Sequence, residues 1–156
     1  MMIRQASAED AVTISRLNVS VQQLHADAAP DTFKQPESDA FAAKSLAEWL
    51  VAEDRYFYIA YEDETAVGYI YGEVRRRPEN PYTHARPQLY IHQIAVDPLY
   101  RGRGHGARLI HRVRELADEL DIDTIALDTW MFNEEARQFF AGQGFTPFMV
   151  RMRLKR

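Results

Sequence analysis

One stretch constrains this 156-residue chain more than any other: Arg101-Gly102-Arg103-Gly104-His105-Gly106. It follows an apolar, β-prone run, Ile94-Ala95-Val96. It opens a segment in which Leu109, Ile110, Val113, Leu116, Ala117 and Leu120 recur at helical spacing. Strand, glycine loop and amphipathic helix in succession commit the chain to a layered α/β architecture, because each element has an apolar face that the other must cover. Three of the seven glycines fall in five consecutive positions. Glycine lets the backbone turn sharply and lets a ligand approach its N–H groups. A helix start carries unpaired donors and partial positive charge. Together these make an anion cradle suited to phosphate or pyrophosphate.

The rest of the chain supplies the other layers. Residues 3–6 read as a strand, and Ser7 as a helix cap with Asp10 in the capping-box position. That helix turns Val12, Leu17, Val21 and Leu24 inward and stops at Ala29-Pro30-Asp31. A second helix is expected over about residues 38–52, with Phe41, Leu46, Trp49 and Leu50 on its buried side. Residues 56–61 and 66–74, joined by Glu62-Asp63-Glu64, read as an antiparallel hairpin. Pro78, Pro81 and Pro87 punctuate an extended loop before a strand over residues 89–96, which Asp97-Pro98 ends. Residues 123–130 read as a strand, and Asn133 as the N-cap of a helix that Gly142 and Gly144 close. Residues 145–154 read as a last strand with Phe148, Val150, Met152 and Leu154 on one side. The order β-α-α-β-β-β-α-β-α-β implies a mixed sheet with helices on both faces, and residues 1–156 are expected to form one domain.

Composition removes several classes of function. The chain is 46% hydrophobic and 27% charged, as in an ordinary globular protein. It has no cysteine, which excludes disulfides, thiolate metal sites and cysteine nucleophiles and fits a reducing cytosol; a cytoplasmic protein with no metal site is expected. Met1-Met2-Ile3-Arg4-Gln5 does not open a long apolar run, and no stretch approaches the roughly 20 apolar residues of a membrane span, so neither signal peptide nor membrane partner is expected. A net charge of −4 argues against a general nucleic-acid binder. Arg75-Arg76-Arg77 reads as solvated surface, whereas Arg101, Arg103 and Arg108 come with glycines that bring the backbone in.

The spacing of the loop decides among phosphate-binding motifs. The dinucleotide fingerprint needs G-x-G-x-x-G in a first βαβ unit, and a nucleotide P-loop needs G-K-[ST]. Here the spacing is G-x-G-x-G, late in the chain, and Ala107 follows Gly106. The pattern that fits is [RQ]-x-x-G-x-[GA], filled by Arg101, Gly104 and Gly106 after Val96-Asp97-Pro98. A second pattern, N-x-x-A-x-x-[FL]-Y-x-x-x-G-F, is met by Asn133, Ala136, Phe139, Gly144 and Phe145, with Phe140 in place of its tyrosine. On this pair of motifs the chain resembles the GNAT superfamily of N-acetyltransferases over nearly its full length.

That resemblance implies a mixed, mostly antiparallel α/β sheet with helices on both faces, its strands splayed at the cofactor site. It implies acetyl-coenzyme A as donor, with the pyrophosphate on the N–H groups of Arg101, Gly102, Arg103, Gly104, His105, Gly106 and Ala107. It implies a pantetheine arm lying like an extra strand beside Ile94, Ala95 and Val96, reached also by Asn133, with an N–H near these residues as oxyanion donor. The acceptor would be a primary amine, of a small molecule or of a peptide, acetylated by direct attack. Two residues are candidates for the base, Asp128 and His92. Phe140 cannot protonate the departing thiolate, which keeps a second reading open: a non-catalytic acyl-CoA-binding sensor or regulator of the same fold. His25, Asp27, Asp31 and Glu73 are candidates for the acceptor side, as are Tyr69, Tyr71 and Tyr90. Relatives are often dimers, so a homodimer is among the implied states.

Overall fold

A computed structural model describes residues 2–36 and 43–156. Among them lie β1 (Met2–Gln5), α1 (Ala11–Ala28), α2 (Ala43–Leu50), β2 (Arg55–Glu62), β3 (Thr65–Arg77), β4 (Arg86–Val96), α3 (His105–Glu119), β5 (Ile125–Leu127) and α4 (Glu134–Gly142), in that order. The sheet order is β1-β2-β3-β4-β5. The first four strands are antiparallel to their neighbours, and β5 runs parallel to β4. Phe41, expected on the second helix, lies outside the described residues.

The two-residue period of β2 sorts its side chains into two cores. Phe57 and Ile59 face α1 and α2, together with Tyr69, Tyr71, Ile14, Leu17 and Leu46. Tyr58 and Ala60 face α3, together with Ile70, Leu89, Leu109, Ile110, Val113 and Phe140. Each large apolar side chain removed from water contributes about 1.5–3 kcal/mol, so the two layers clamp the sheet from both sides.

The apolar stripe of α3 is the expected one apart from Leu120, which sits at the helix end and is 36% exposed. In α1 the phase differs from expectation. Ala11, Ile14 and Leu17 are buried, whereas Val12 is exposed. The reason lies just upstream, in the 3-10 turn Ala8–Asp10. Arg4 Nη1 and Nη2 donate to Asp10 Oδ2 and Oδ1 at 2.8 and 2.7 Å, and Ser7 N donates to Asp10 Oδ2 at 2.8 Å. These bonds draw the Asp10 carboxylate inward and set which side of the helix follows it.

Two strand expectations are corrected. The strand expected over residues 123–130 is paired only at Ile125–Leu127, because β4 turns away beyond Ile91. The last strand, expected over residues 145–154, does not form: residues 146–156 have no regular structure and every one of them is exposed. Their alternating pattern is that of a strand, and among the described residues no strand pairs with it. Among the described residues no helix is long and apolar enough to cross a membrane.

Candidate active site

The site begins with an irregularity in strand pairing. In the β3–β4 ladder Tyr71 pairs with Gln93 and Gly72 with Ile91, so His92 is an extra residue, a β-bulge. On the other side, β4 pairs with β5 only at Leu89↔Ile125, Tyr90↔Ala126 and Ile91↔Leu127. Pairing to β5 stops where the bulge begins. Residues 92–96 therefore face an opening, which is one wall of a cleft of about 620 Å³. The expected splay between these strands is present, and the bulge bends β4 at the point of divergence.

The far end of the cleft is the glycine loop. Gly102 and Gly104 adopt positive φ, 75° and 83°, where a side chain is disfavoured. Gly104 is the N-cap of α3 and nothing lies within 4 Å of where its Cβ would be, so the loop is concave and open. The first intrahelical bond runs from Arg108 N to Gly104 O, which leaves the N–H groups of His105, Gly106 and Ala107 at the helix start without an intrahelical acceptor. Gly106 is needed for a different reason: a Cβ there would come 3.1 Å from the Phe139 ring, so α3 and α4 pack closely only without one.

The two arginine side chains of the loop are held by other partners, and that of Arg103 is turned away from the cleft. Arg103 Nη1 pairs with Glu62 Oε1 at 2.7 Å, its Nη2 donates to Leu99 O, and it does not line the cleft. Arg101 lines the cleft but its Nε donates to Val96 O at 3.2 Å. His105 is buried, with Nε2 2.8 Å from Glu62 Oε2. The cradle is accordingly a main-chain one, and Glu62 at the end of β2 fastens it from behind through two side chains. Asn133 lines the cleft and its Oδ1 accepts from Ala136 N at 3.1 Å, which makes it the N-cap of α4. Ile94, Ala95, Val96 and Ala107 also line the cleft.

The end of the cleft away from the glycine loop is built around His92. Its Nε2 lies 2.6 Å from Glu73 Oε2, its ring stacks on Tyr71 at 4.6 Å, and Tyr90 meets it edge-on at 4.9 Å. Glu73 is also reached by Arg75 and Arg55, at 3.5 and 3.8 Å. Burial lowers the His92 pKa, and Arg75 and Arg55 lower it further, against the opposing pull of Glu73. Burial alone would raise Glu73, but the His92 hydrogen bond and the two arginines bring it below the usual carboxylate value. Pairing by itself would raise the histidine; the cationic, half-buried surroundings win. The pair at neutral pH is thus an ionised Glu73 and a neutral His92. The carboxylate can only accept, so Nε2 carries the proton and Nδ1 keeps its lone pair.

Asp128 lines the same cleft and is exposed. The Tyr90 phenol is pushed up by burial and by its hydrogen bond to the Asp128 carboxylate. Arg75, expected as solvated surface, lines the cleft and lies 3.5 Å over the Tyr90 ring. It is exposed, as expected, and β3 carries the whole run alongside β4, at Arg75↔Gln88, Arg76↔Pro87 and Arg77↔Arg86; that Arg75 alone of the three lines the cleft depends on this pairing and is not written in the run. His25 lines the cleft; Asp27 and Asp31 do not. Tyr71 belongs to the core, and Tyr69 is fully buried with its hydroxyl 2.8 Å from Gln93 Oε1. Phe33 and Trp130 meet at 5.3 Å and join the end of α1 to the loop before α4, across the mouth of the cleft. Phe140 is a core residue that also reaches the cleft wall.

The sequence matches the acetyltransferase (GNAT) family over residues 18–145, and the chain belongs to that family. The family places it among the acyltransferases. The fold superposes over 100% of this chain on 100% of a tetramutant of the BH1408 protein from Bacillus halodurans, with a TM-score of 0.93 at 24% identity. It also superposes on the aminoglycoside N-acetyltransferase AAC(6')-Iy in complex with CoA, with a TM-score of 0.78 at 21% identity, covering 99% of this chain and 93% of that one. Over 71 residues the sequence is 41% identical to an uncharacterised protein of Mycobacterium leprae, a match that takes in 45% of this chain and 19% of that protein. The chain thus spans about a fifth of the length of that relative.

Proposed function

We propose that residues 1–156 act as one acetyltransferase domain that moves an acetyl group from acetyl-coenzyme A to a primary amine of a small molecule or a peptide. The observation that carries the reading is the cleft itself. An unpaired β4 edge, residues 92–96, leads directly into an open glycine loop at a helix N-terminus, and a neutral histidine paired to a carboxylate stands at the other end.

The residues fit the donor. Main-chain N–H groups of residues 102–107 and the positive end of α3 suit its diphosphate. The open edge of Ile94, Ala95 and Val96 suits an amide-bearing arm, and Asn133 stands at its side. Bound there, the donor supplies an acetyl thioester whose carbon–sulfur bond breaks as the amine attacks. His92 Nδ1 accepts the proton that the amine loses, and Glu73 stabilises the resulting imidazolium. A main-chain N–H of β4 near the bulge is the group available to the developing oxyanion. Phe140 donates no proton, and none is required, because a thiol of pKa about 8–9 leaves readily as thiolate. Asp128, tied to Tyr90, is better suited to attracting and orienting a cationic amine than to deprotonating it.

The acceptor reading is narrower than that of the aminoglycoside enzymes among the structural neighbours. A polycation needs several carboxylates around it. Among the described residues the carboxylates lining this cleft are Asp128 and Glu135, opposed by Arg75 and faced by His25, Phe33, Tyr90 and Trp130. This supports an amine carried on an apolar or planar body. The test is thiol release from acetyl-CoA against a panel of aralkylamines, aliphatic polyamines, aminoglycosides and peptide amines. Turnover strongest with the first group supports the reading. Tight CoA binding with no turnover of any amine would instead make the protein a binding module.

A further inference from the structure

Behind the cleft lies a buried hydrogen-bond chain that acetyl transfer leaves unused. We infer that Asn18 and Gln93, held by the Tyr69 hydroxyl, form a subsite that reads a neutral group able both to donate and to accept a hydrogen bond, a hydroxyl or a carboxamide, next to the amine of the acceptor. This subsite rests on the amine acceptor proposed above.

The bulge in β4 creates the site. Strand residues alternate between faces, but a bulge sets two consecutive residues against one partner. Here it brings His92 and Gln93 to the same face. His92 stacks on Tyr71, and Gln93 Oε1 lies 2.8 Å from the Tyr69 hydroxyl; Tyr69 and Tyr71 both belong to the core on the α1 side. A group that meets Gln93 in the cleft therefore stands beside the imidazole that faces the amine.

α1 supplies the other half. Its inner stripe, apolar at Ile14 and Leu17, includes Asn18 where the helix passes over the cleft. Asn18 Oδ1 lies 2.9 Å from the Tyr69 hydroxyl. Tyr69 is fully buried and does not line the cleft, whereas Asn18 and Gln93 both do. The phenol is a pin set behind two amides.

Burial pushes the Tyr69 phenol well above its ordinary pKa, so it keeps its proton at neutral pH. One proton cannot serve two carbonyl oxygens. It goes to one amide, and the other turns its NH2 to the phenol oxygen. The chain then has a direction, and its open ends are opposite in kind. The amide that accepts from Tyr69 offers an NH2 to the cleft, and the amide that donates to Tyr69 offers a C=O. Either direction gives the same pair. Among the described residues neither side-chain amide makes another hydrogen bond. An ammonium suits only the C=O and a carboxylate only the NH2; a hydroxyl or a carboxamide satisfies both. A site built in this way penalises the analogue that leaves its polar groups unpaired.

The test is calorimetric titration of two amines that differ by one hydroxyl, phenylethylamine and its β-hydroxylated counterpart, into the protein with and without saturating CoA. The hydroxylated amine should bind roughly tenfold more tightly. Gln93→Met and Asn18→Leu each keep the bulk and remove one amide, and Tyr69→Phe keeps the ring and releases both amides. In each variant the ratio of the two Kd values should fall towards one, with an unchanged circular dichroism spectrum. A merely structural effect weakens both amines alike and leaves the ratio in place. Thiol release from acetyl-CoA is followed with the same two amines. Preference in binding without turnover would remove acetyl transfer and leave the subsite standing; turnover of both amines with equal Kd values would do the reverse. A ratio of one in the parent, binding of neither amine, or a ratio that survives in any of the three variants would overturn the inference.

Discussion

His92 Nε2 and Glu73 Oε2 lie 2.6 Å apart across β3 and β4, at the bulge where β4 parts from β5. The neutral imidazole is the form that accepts a proton, and burial keeps its pKa below the ordinary 6.5. kcat/KM is therefore expected to be flat through neutrality and to fall only on the acid side. In Glu73→Gln the group that raises the His92 pKa is gone, while burial and the arginines remain, so the acid limb should move to lower pH and the plateau should drop. His92→Ala should cost roughly 10²–10⁴ in kcat with little change in CoA affinity. Asp128→Ala should raise the KM for the amine more than it lowers kcat. An acid limb unmoved in Glu73→Gln would dissociate the pair from catalysis.

Gly104→Glu places a carboxylate in the open space of the loop, on a backbone with φ of 83°. Like charges brought together at an interface cost several kcal/mol, so CoA affinity should fall by roughly 100-fold or more. Gly104→Ala separates the effects: it carries the backbone strain of about 1–2 kcal/mol without the charge. Calorimetric titration with CoA reads both. Equal affinities for Gly104→Glu and the parent would remove the cradle from the binding site.

Glu62 holds the loop through Arg103 and the buried His105. Glu62→Ala takes one hydrogen-bond partner from a buried imidazole, a loss of about 1–3 kcal/mol, which lowers Tm by several degrees. Because Glu62 is not among the residues that line the cleft, kcat at saturating donor should persist while the Kd for CoA rises. A variant whose Tm falls without any change in Kd would show that the brace serves the fold alone.

What could be read from the sequence was what is local. The glycine spacing, the helix stripe of α3 and the Asn133 cap are each written within a few residues; the structure brings the glycines and Asn133 to one cleft and buries the stripe in the core behind them. What could not be read depends on register. Nothing in Tyr90-Ile91-His92-Gln93 announces that His92 is an extra residue, because a bulge is a mismatch in count against another strand. Its partner Glu73 is 19 positions away, and Glu62 is 43 from His105. The short β5 has the same origin, since its pairing ends where β4 bends. The tail shows the converse. Alternation in residues 148–154 reads as a strand, yet these residues have no regular structure and are exposed, because a strand is decided by the partner it pairs with and not by its own pattern.

The pair Arg4–Asp10 gives a pH-dependent stability that does not involve the cleft. The Arg4 hydrogen bonds, against the opposing cost of burial, hold the Asp10 carboxyl down at about 2 from an ordinary 3.8. A carboxyl lowered on folding stabilises fully above its unfolded value and loses that contribution as pH falls toward its folded value. Arg4 is 40% exposed and partly screened, so the contribution is about 1–2 kcal/mol at neutral pH. Asp10→Asn keeps the shape and removes the charge. Its denaturation midpoint should lie below that of the parent at about pH 6, and the gap should narrow steadily once the pH drops through 3.8. A gap of constant width from neutral pH down to about 3 would assign the effect to packing at the start of α1 and leave the ion pair without a share in it.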